Sequence, residues 1–250
     1  MILNAVGTQK DTSKAAVAIA EKYHFIFASI GLHPIHLFST HIDEEESSFL
    51  SREENFDYEY YKNLGQSPKV VAIGECGLDL YRLPPDRTKE EVLAKQKQTF
   101  IAQYKLAQEL GLAMVIHVRE AHEEMVELLS GLADNVNGTI HCYTGNWHYA
   151  QKYLAMGLHL GFTGVITFPP RKTDPQVQLG LLEVVAKCPL DRMLLETDSP
   201  YLAPQAYRGG RSEPWMTEEV VKKIAEIKGI SPAEVADQTT TNAKKLFKLP

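Results

Sequence analysis

The sequence predicts an α/β fold built on a parallel sheet, and three observations carry that prediction. Short apolar runs alternate with helical patterns along the whole chain, and strands separated by helices pair in parallel. The runs are apolar at nearly every position, so both faces of the sheet are covered. The turn after the first run, AVGTQKDTS, has a single glycine and is no phosphate-binding loop, which argues against a doubly wound nucleotide binder. At this level the pattern fits a doubly wound sheet or a (β/α)8 barrel.

The candidate strands are residues 1–7, 25–31, 69–75, 112–118, 138–144, 159–164 and 192–198. The long helical pattern from Lys89 carries Leu93, Phe100, Tyr104 and Ala107 at helical spacing and stops at Gly111. Two further patterns stop at Gly157 and Gly229. The last opens with Ser231 as cap, Pro232 at the first helical position and Glu234 three residues after the cap. The acidic stretch HIDEEESSFLSREENFDYEY reads as a solvated loop and helix between two strands. No linker splits the chain, so residues 1–250 are read as one domain.

Composition narrows the function classes. The chain has 250 residues, 44% hydrophobic and 23% charged, which is ordinary for a soluble globular protein. A formal charge of −6 supplies no global basic field for nucleic acid, so a phosphate partner needs a local basic patch. Cys76, Cys142 and Cys188 form no CxxC and suit a reducing compartment as small buried hydrophobes. No run approaches a membrane span and the N-terminus is no signal peptide. The expected location is the cytoplasm, with no membrane and no obligate protein partner.

The chemistry lies at the strand ends. Four runs finish near Glu75, His117, His141 and Asp198. By period-2 alternation Glu75 shares a face with Ile73 and Val71, His117 with Val115 and Ala113, and Asp198 with Glu196 and Leu194. Each polar group caps an inward column, and in a barrel such columns converge at the C-terminal mouth. Isolated buried charges are costly, and a divalent ion among them removes the cost. Nitrogen and oxygen donors without thiolate suit a catalytic ion. Arg119, two residues past His117, offers a bidentate fork for an anion. The stretch YRGGRSEPW adds Arg208, Arg211 and Trp215 for phosphate and base contact. His33 in GLHP either touches substrate or metal, or caps its loop.

At these residues the chain resembles the TatD family of metal-dependent deoxyribonucleases, within the amidohydrolase-like barrels. The resemblance rests on GLHP, VVAIGECGLD, IHVREA, IHCYTG, LLETDSPYLAP, RGGRSEP and TTTNAKKLF, in family order. It implies a TIM-type (β/α)8 barrel and nuclease activity on DNA, at single strands or 3′ ends. It implies metal-ligand roles for Glu75, His117, His141 and Asp198. Glu75 and Asp198 are the catalytic pair, with Asp198 accepting the proton of the attacking water. Arg119, His33 and Arg211 would contact substrate. Two departures stand out. The family's opening strand with its paired histidines has no counterpart, so the chain is expected to be a form shortened by one strand–helix unit. Ser212 also stands where the family commonly has Asn. With fewer nitrogens the expected cofactor is one or two divalent ions, Mg²⁺ or Mn²⁺ ahead of Zn²⁺. Two rival readings keep the site: an ester or amide hydrolase such as an aminoacyl-tRNA deacylase, and a weakened nucleic-acid-binding paralogue.

Overall fold

The computed structural model describes residues 1–39, 41–44, 47–133 and 136–250. The chain forms two compact units, Met1–Gly138 and Thr139–Pro250.

The first unit contains β1 (Leu3–Val6), α1 (Lys10–Lys22), β2 (Ile26–Ile30), β3 (His41–Glu44), β4 (Ser47–Leu50), α2 (Tyr58–Leu64), β5 (Val70–Asp79), α3 (Lys89–Leu110), β6 (Ala113–Arg119) and α4 (His122–Ser130). β1, β2, β5 and β6 are neighbours in that order, all parallel. All five residues of β2 are buried, and all of β5 except Glu75, as expected of strands covered on both faces. α1 buries Ser13, Ala16, Val17 and Ala20, one helical stripe of small side chains that lets it lie close to the sheet.

α3 does the positioning. It starts at a Thr88–Glu91 capping box and ends at Gly111 in the left-handed region, φ 64°. Its buried face holds Phe100, Tyr104 and Ala107 as predicted, and also Val92, Gln96 and Gln103. The two glutamines act as backbone clamps. Gln103 accepts from the Leu32 N–H at 2.9 Å and donates to the Leu32 carbonyl at 3.0 Å. Gln96 does the same for Asp79, at 3.0 and 2.8 Å. Buried main-chain groups past the sheet ladder need such partners, and these two fix the residues beside His33 and at the end of β5.

The acidic stretch is only partly a loop and helix. α2 is there, but β3 and β4 pair antiparallel, His41 opposite Leu50 and Glu44 opposite Ser47. Polar, acid-rich residues gave no strand signal, and Glu45 and Glu46 at its centre lie outside the described residues.

The second unit contains β7 (Gly138–Ile140), α5 (Trp147–Ala155), β8 (His159–Phe162), α6 (Pro175–Lys187), β9 (Met193–Leu195), α7 (Thr217–Lys228) and α8 (Pro232–Phe247). β8 pairs in parallel with β7 and with β9. α8 opens on the predicted Ser231–Glu234 capping box, and Asn242 donates to the carbonyls of Leu190 and Met193, both at 2.8 Å, tethering the start of β9. α7 ends at Gly229, φ 66°.

All seven predicted strands are present, with shifted ends. The 69–75 strand runs on to Asp79, whereas the 138–144 and 192–198 strands stop at Ile140 and Leu195. His141 and Asp198 therefore sit in the turns that leave the sheet. Among the described residues no helix is long and apolar enough to cross a membrane.

Candidate metal centre

The first cluster grows out of an irregularity in β5. Between the Ile73–Met114 and Cys76–Ile116 pairs, β5 advances three residues while β6 advances two. One extra residue is a bulge, which re-aims side chains. The alternation that placed Glu75 on the face of Ile73 and Val71 is thus interrupted at Gly74 (φ 151°). A Cβ on Gly77 would lie 1.9 Å from the His117 carbonyl oxygen, so only glycine lets the two backbones approach at this point.

Beyond the bulge, both carboxylates of β5 face one imidazole. His117 Nδ1 lies 2.9 Å from Glu75 Oε1, and Nε2 lies 3.0 Å from Asp79 Oδ2. His33 Nε2 is 3.5 Å from the same Glu75 oxygen, and its ring lies 4.2 Å from that of His117. His33 also caps its loop: Nδ1 accepts from the Ile35 N–H at 3.1 Å, at the head of a short 3₁₀ turn, Pro34–His36. The loop-capping alternative read from GLHP is present, and the same ring lies beside Glu75 and His117.

Burial pushes the pKa of His117 down, but hydrogen bonds to Asp79 and then Glu75 outweigh it and hold it up at about 9. Burial pushes Asp79 up, and the His117 hydrogen bond and charge carry it below the usual carboxylate range. Two carboxylates that share one ring are satisfied only by a cation: the imidazolium proton or a metal ion. His33, Glu75 and His117 each offer a donor atom, all within 4.8 Å of one another. Imidazole and carboxylate donors at this separation fit a divalent cation, and Asp79 stands behind His117 as the carboxylate that orients a ligating ring.

The second unit repeats the pattern by other means. His141 follows β7, with Nδ1 2.7 Å from Glu196 Oε2 and Nε2 3.0 Å from Asp198 Oδ1. Glu196 also accepts from the Cys142 N–H at 3.0 Å, and Cys142 takes a left-handed φ of 44° to make that turn. The Glu196 carboxylate fills the space that a Cβ on Gly161 would occupy. The Cys142 thiol is not directed at the cluster; it lies 3.1 Å from Thr163 Oγ1, and burial pushes it up to about 12.

The structure therefore brings Glu75, His117 and His33 together in one unit, and His141 with Asp198 in the other. Arg119 ends β6, its guanidinium carbon 3.9 Å from the Tyr81 ring centroid. Arg211 is exposed, 3.9 Å from Glu213. In the same stretch Tyr207 and Trp215 meet edge to face at 5.2 Å, and Arg208 covers Phe168 at 4.2 Å. Sequence reasoning gave no role to Asp79 or Glu196. Both signals were legible: an acid four residues past Glu75 in GECGLD, and an acid two residues before Asp198 on its face.

Parallel strands thus lead to imidazole and carboxylate side chains at their C-terminal ends, the place where enzymes of parallel α/β folds carry their sites. A family model described as TatD related DNase matches residues 1–248. The metal-dependent hydrolase YabD of Bacillus subtilis is 38% identical over 98% of this chain and 86% of its own length. The 3′-5′ ssDNA/RNA exonuclease TatD of Cronobacter sakazakii is 34% identical over 96% and 84%. The crystal structure of YJJV, a TatD homologue from Escherichia coli K12, matches with a TM-score of 0.82 and 25% identity, covering all of this chain and 87% of that one. The chain belongs to the TatD family, and its α/β fold is of the TIM-barrel type.

Proposed function

We propose that this metal-dependent hydrolase cleaves phosphodiester bonds in single-stranded DNA, working from the 3′ end in the cytoplasm. The observation that carries the reading is the convergence of His33, Glu75 and His117 with Asp79 behind them. The Cronobacter relative, a 3′-5′ ssDNA/RNA exonuclease by name, supports the choice of substrate; the Bacillus relative's name gives only the hydrolase class.

Glu75 and His117 would hold one ion, and His141 and Asp198 donate in the second unit. Bound divalent ions supply a polarised phosphoryl oxygen and an acidified water. The donor set mixes imidazole and carboxylate without thiolate, a mixture that Mn²⁺ accommodates, and the reading keeps Mg²⁺ or Mn²⁺ ahead of Zn²⁺. Asp198, the most exposed of the four carboxylates at 33%, is the residue to accept the proton of the attacking water. Arg119 and Arg211 carry the positive charge for the phosphates. Asp79 and Glu196 keep the two imidazoles oriented.

The test uses 5′-labelled single-stranded DNA with EDTA, Mg²⁺, Mn²⁺ or Zn²⁺. The reading expects a ladder that shortens from the 3′ end, absent with EDTA and strongest with Mg²⁺ or Mn²⁺. Intact DNA with every ion, alongside turnover of a carboxylic ester, would replace it with the esterase reading.

A further inference from the structure

Beside the first cluster lies an open groove walled by Pro34, Ile35, Phe38, Tyr81, Val92 and Arg119. Resting on the nuclease reading above, we propose that this pocket receives one base of the substrate strand, by stacking and without regard to its identity.

The wall chemistry points to a flat, largely apolar occupant. Tyr81 is 44% exposed although it is aromatic and next to the site. Arg119 lies over its ring at 3.9 Å and Arg82 approaches the same ring at 5.4 Å. A tyrosine backed by guanidinium groups is the kind of platform on which single-stranded bases stack. The turn after β2 adds apolar lining through Ile35 and Phe38.

Two of the polar side chains that line the pocket, Asp79 and Gln96, are already engaged. Asp79 Oδ1 accepts from the Tyr81 N–H at 2.9 Å and Oδ2 faces His117 at 3.0 Å. Both ends of the Gln96 amide are bound to the Asp79 backbone. Reading a base edge takes aligned donors and acceptors; those of Asp79 and Gln96 hold the site, and the guanidinium groups of Arg82 and Arg119 lie against the Tyr81 ring. Stacking, by contrast, accepts any base. Because Asp79 both lines the pocket and bonds His117, a phosphate held at the cluster places its neighbouring base here. The cationic rim suits the strand's charge.

The experiment measures hydrolysis of single-stranded DNA in which one abasic nucleotide is placed at successive positions from the 3′ end. The proposal expects one position to lower kcat/KM about tenfold or more in the wild type, the size of a lost stacking contact. At that position the four natural bases should agree within about threefold. Tyr81→Ala should erase the abasic penalty and Tyr81→Phe should keep it. An abasic scan with no sensitive position, a penalty that survives Tyr81→Ala, or a strong preference for one base would overturn the pocket while leaving the nuclease reading standing. A wild type that neither binds nor cuts DNA would remove both.

Discussion

His117 and His141 sit in the same chemical frame, each imidazole between two carboxylates, yet the two units build that frame differently. In the first unit the frame rests on regular structure: both acids come from β5 and the ring from β6. In the second, all three groups lie in turns past β7 and β9. Within each frame one acid is also tied to a backbone N–H, Asp79 to Tyr81 and Glu196 to Cys142. The partner acids differ most: the Glu75 side chain is 13% exposed and lies 3.5 Å from a second histidine, while that of Asp198 is 33% exposed. A strand-borne, enclosed acid suits holding a cation. A turn-borne, more open one suits passing a proton.

That division can be broken by substitution. The largest effect is expected from Glu75→Gln, which removes the charge shared by His33 and His117. Loss of an ion's several kcal/mol of transition-state stabilisation lowers turnover by about 10³-fold or more, and ion binding measured by calorimetry should fall with it. Asp198→Asn should cost about 10²–10⁴-fold in turnover, the range for a general base, and ion affinity should fall less than in Glu75→Gln because this more exposed donor also serves as the proton acceptor. If the two variants lose ion affinity equally, the contrast between holder and proton acceptor is wrong.

Asp79→Ala and Glu196→Ala should each weaken ion binding by about 10–100-fold, as for carboxylates behind ligating histidines. Similar losses would sharpen the parallel between the units, and an effect confined to Asp79 would end it.

The chelator-stripped protein should also show the first frame in its pH–stability curve. Folded His117 keeps its proton up to about 9, whereas the unfolded chain releases it near 6.5. Its stabilisation is full below pH 6.5 and is lost between 6.5 and about 9. His36 acts oppositely: burial and then His33 pull it down to about 4, so its contribution is full above 6.5 and is lost toward 4. Melting temperature without metal should therefore peak near pH 6.5, and saturating Mn²⁺ should remove the alkaline fall. A flat alkaline limb in the stripped protein would contradict the His117 frame.

The smallest effect concerns Arg119. Arg119→Ala should reduce the salt slope of DNA binding by about one, whereas Arg171→Ala, an exposed arginine far along the chain, should leave it unchanged. Equal slopes would take Arg119 off the phosphate path.

Much of this was readable before any coordinates. Seven apolar runs gave seven strands, and glycines at 111 and 229 marked helix ends because the left-handed cap requires them. Glu75, His117, His141 and Asp198 stood out as polar ends to apolar runs. Period-2 reasoning stopped at Glu75, however, because a bulge changes the period and carries β5 on to Asp79. Glu196 was noticed only as a face-mate of Asp198, since its partner is the ring of a residue 55 positions earlier. Nothing in the sequence marked Gln96 and Gln103; their role depends on main-chain groups of distant segments, which no local pattern encodes. The β3–β4 pairing was hidden by its polar composition.

The most direct test of the account is a Mn²⁺ titration of the wild type and of His117→Ala, with the same samples assayed on 5′-labelled single-stranded DNA and checked for folding by circular dichroism. The account predicts that the variant folds, binds Mn²⁺ at least about tenfold more weakly and leaves the DNA uncut, while the wild type shortens it from the 3′ end. Equal Mn²⁺ affinity and equal turnover in both proteins would contradict it.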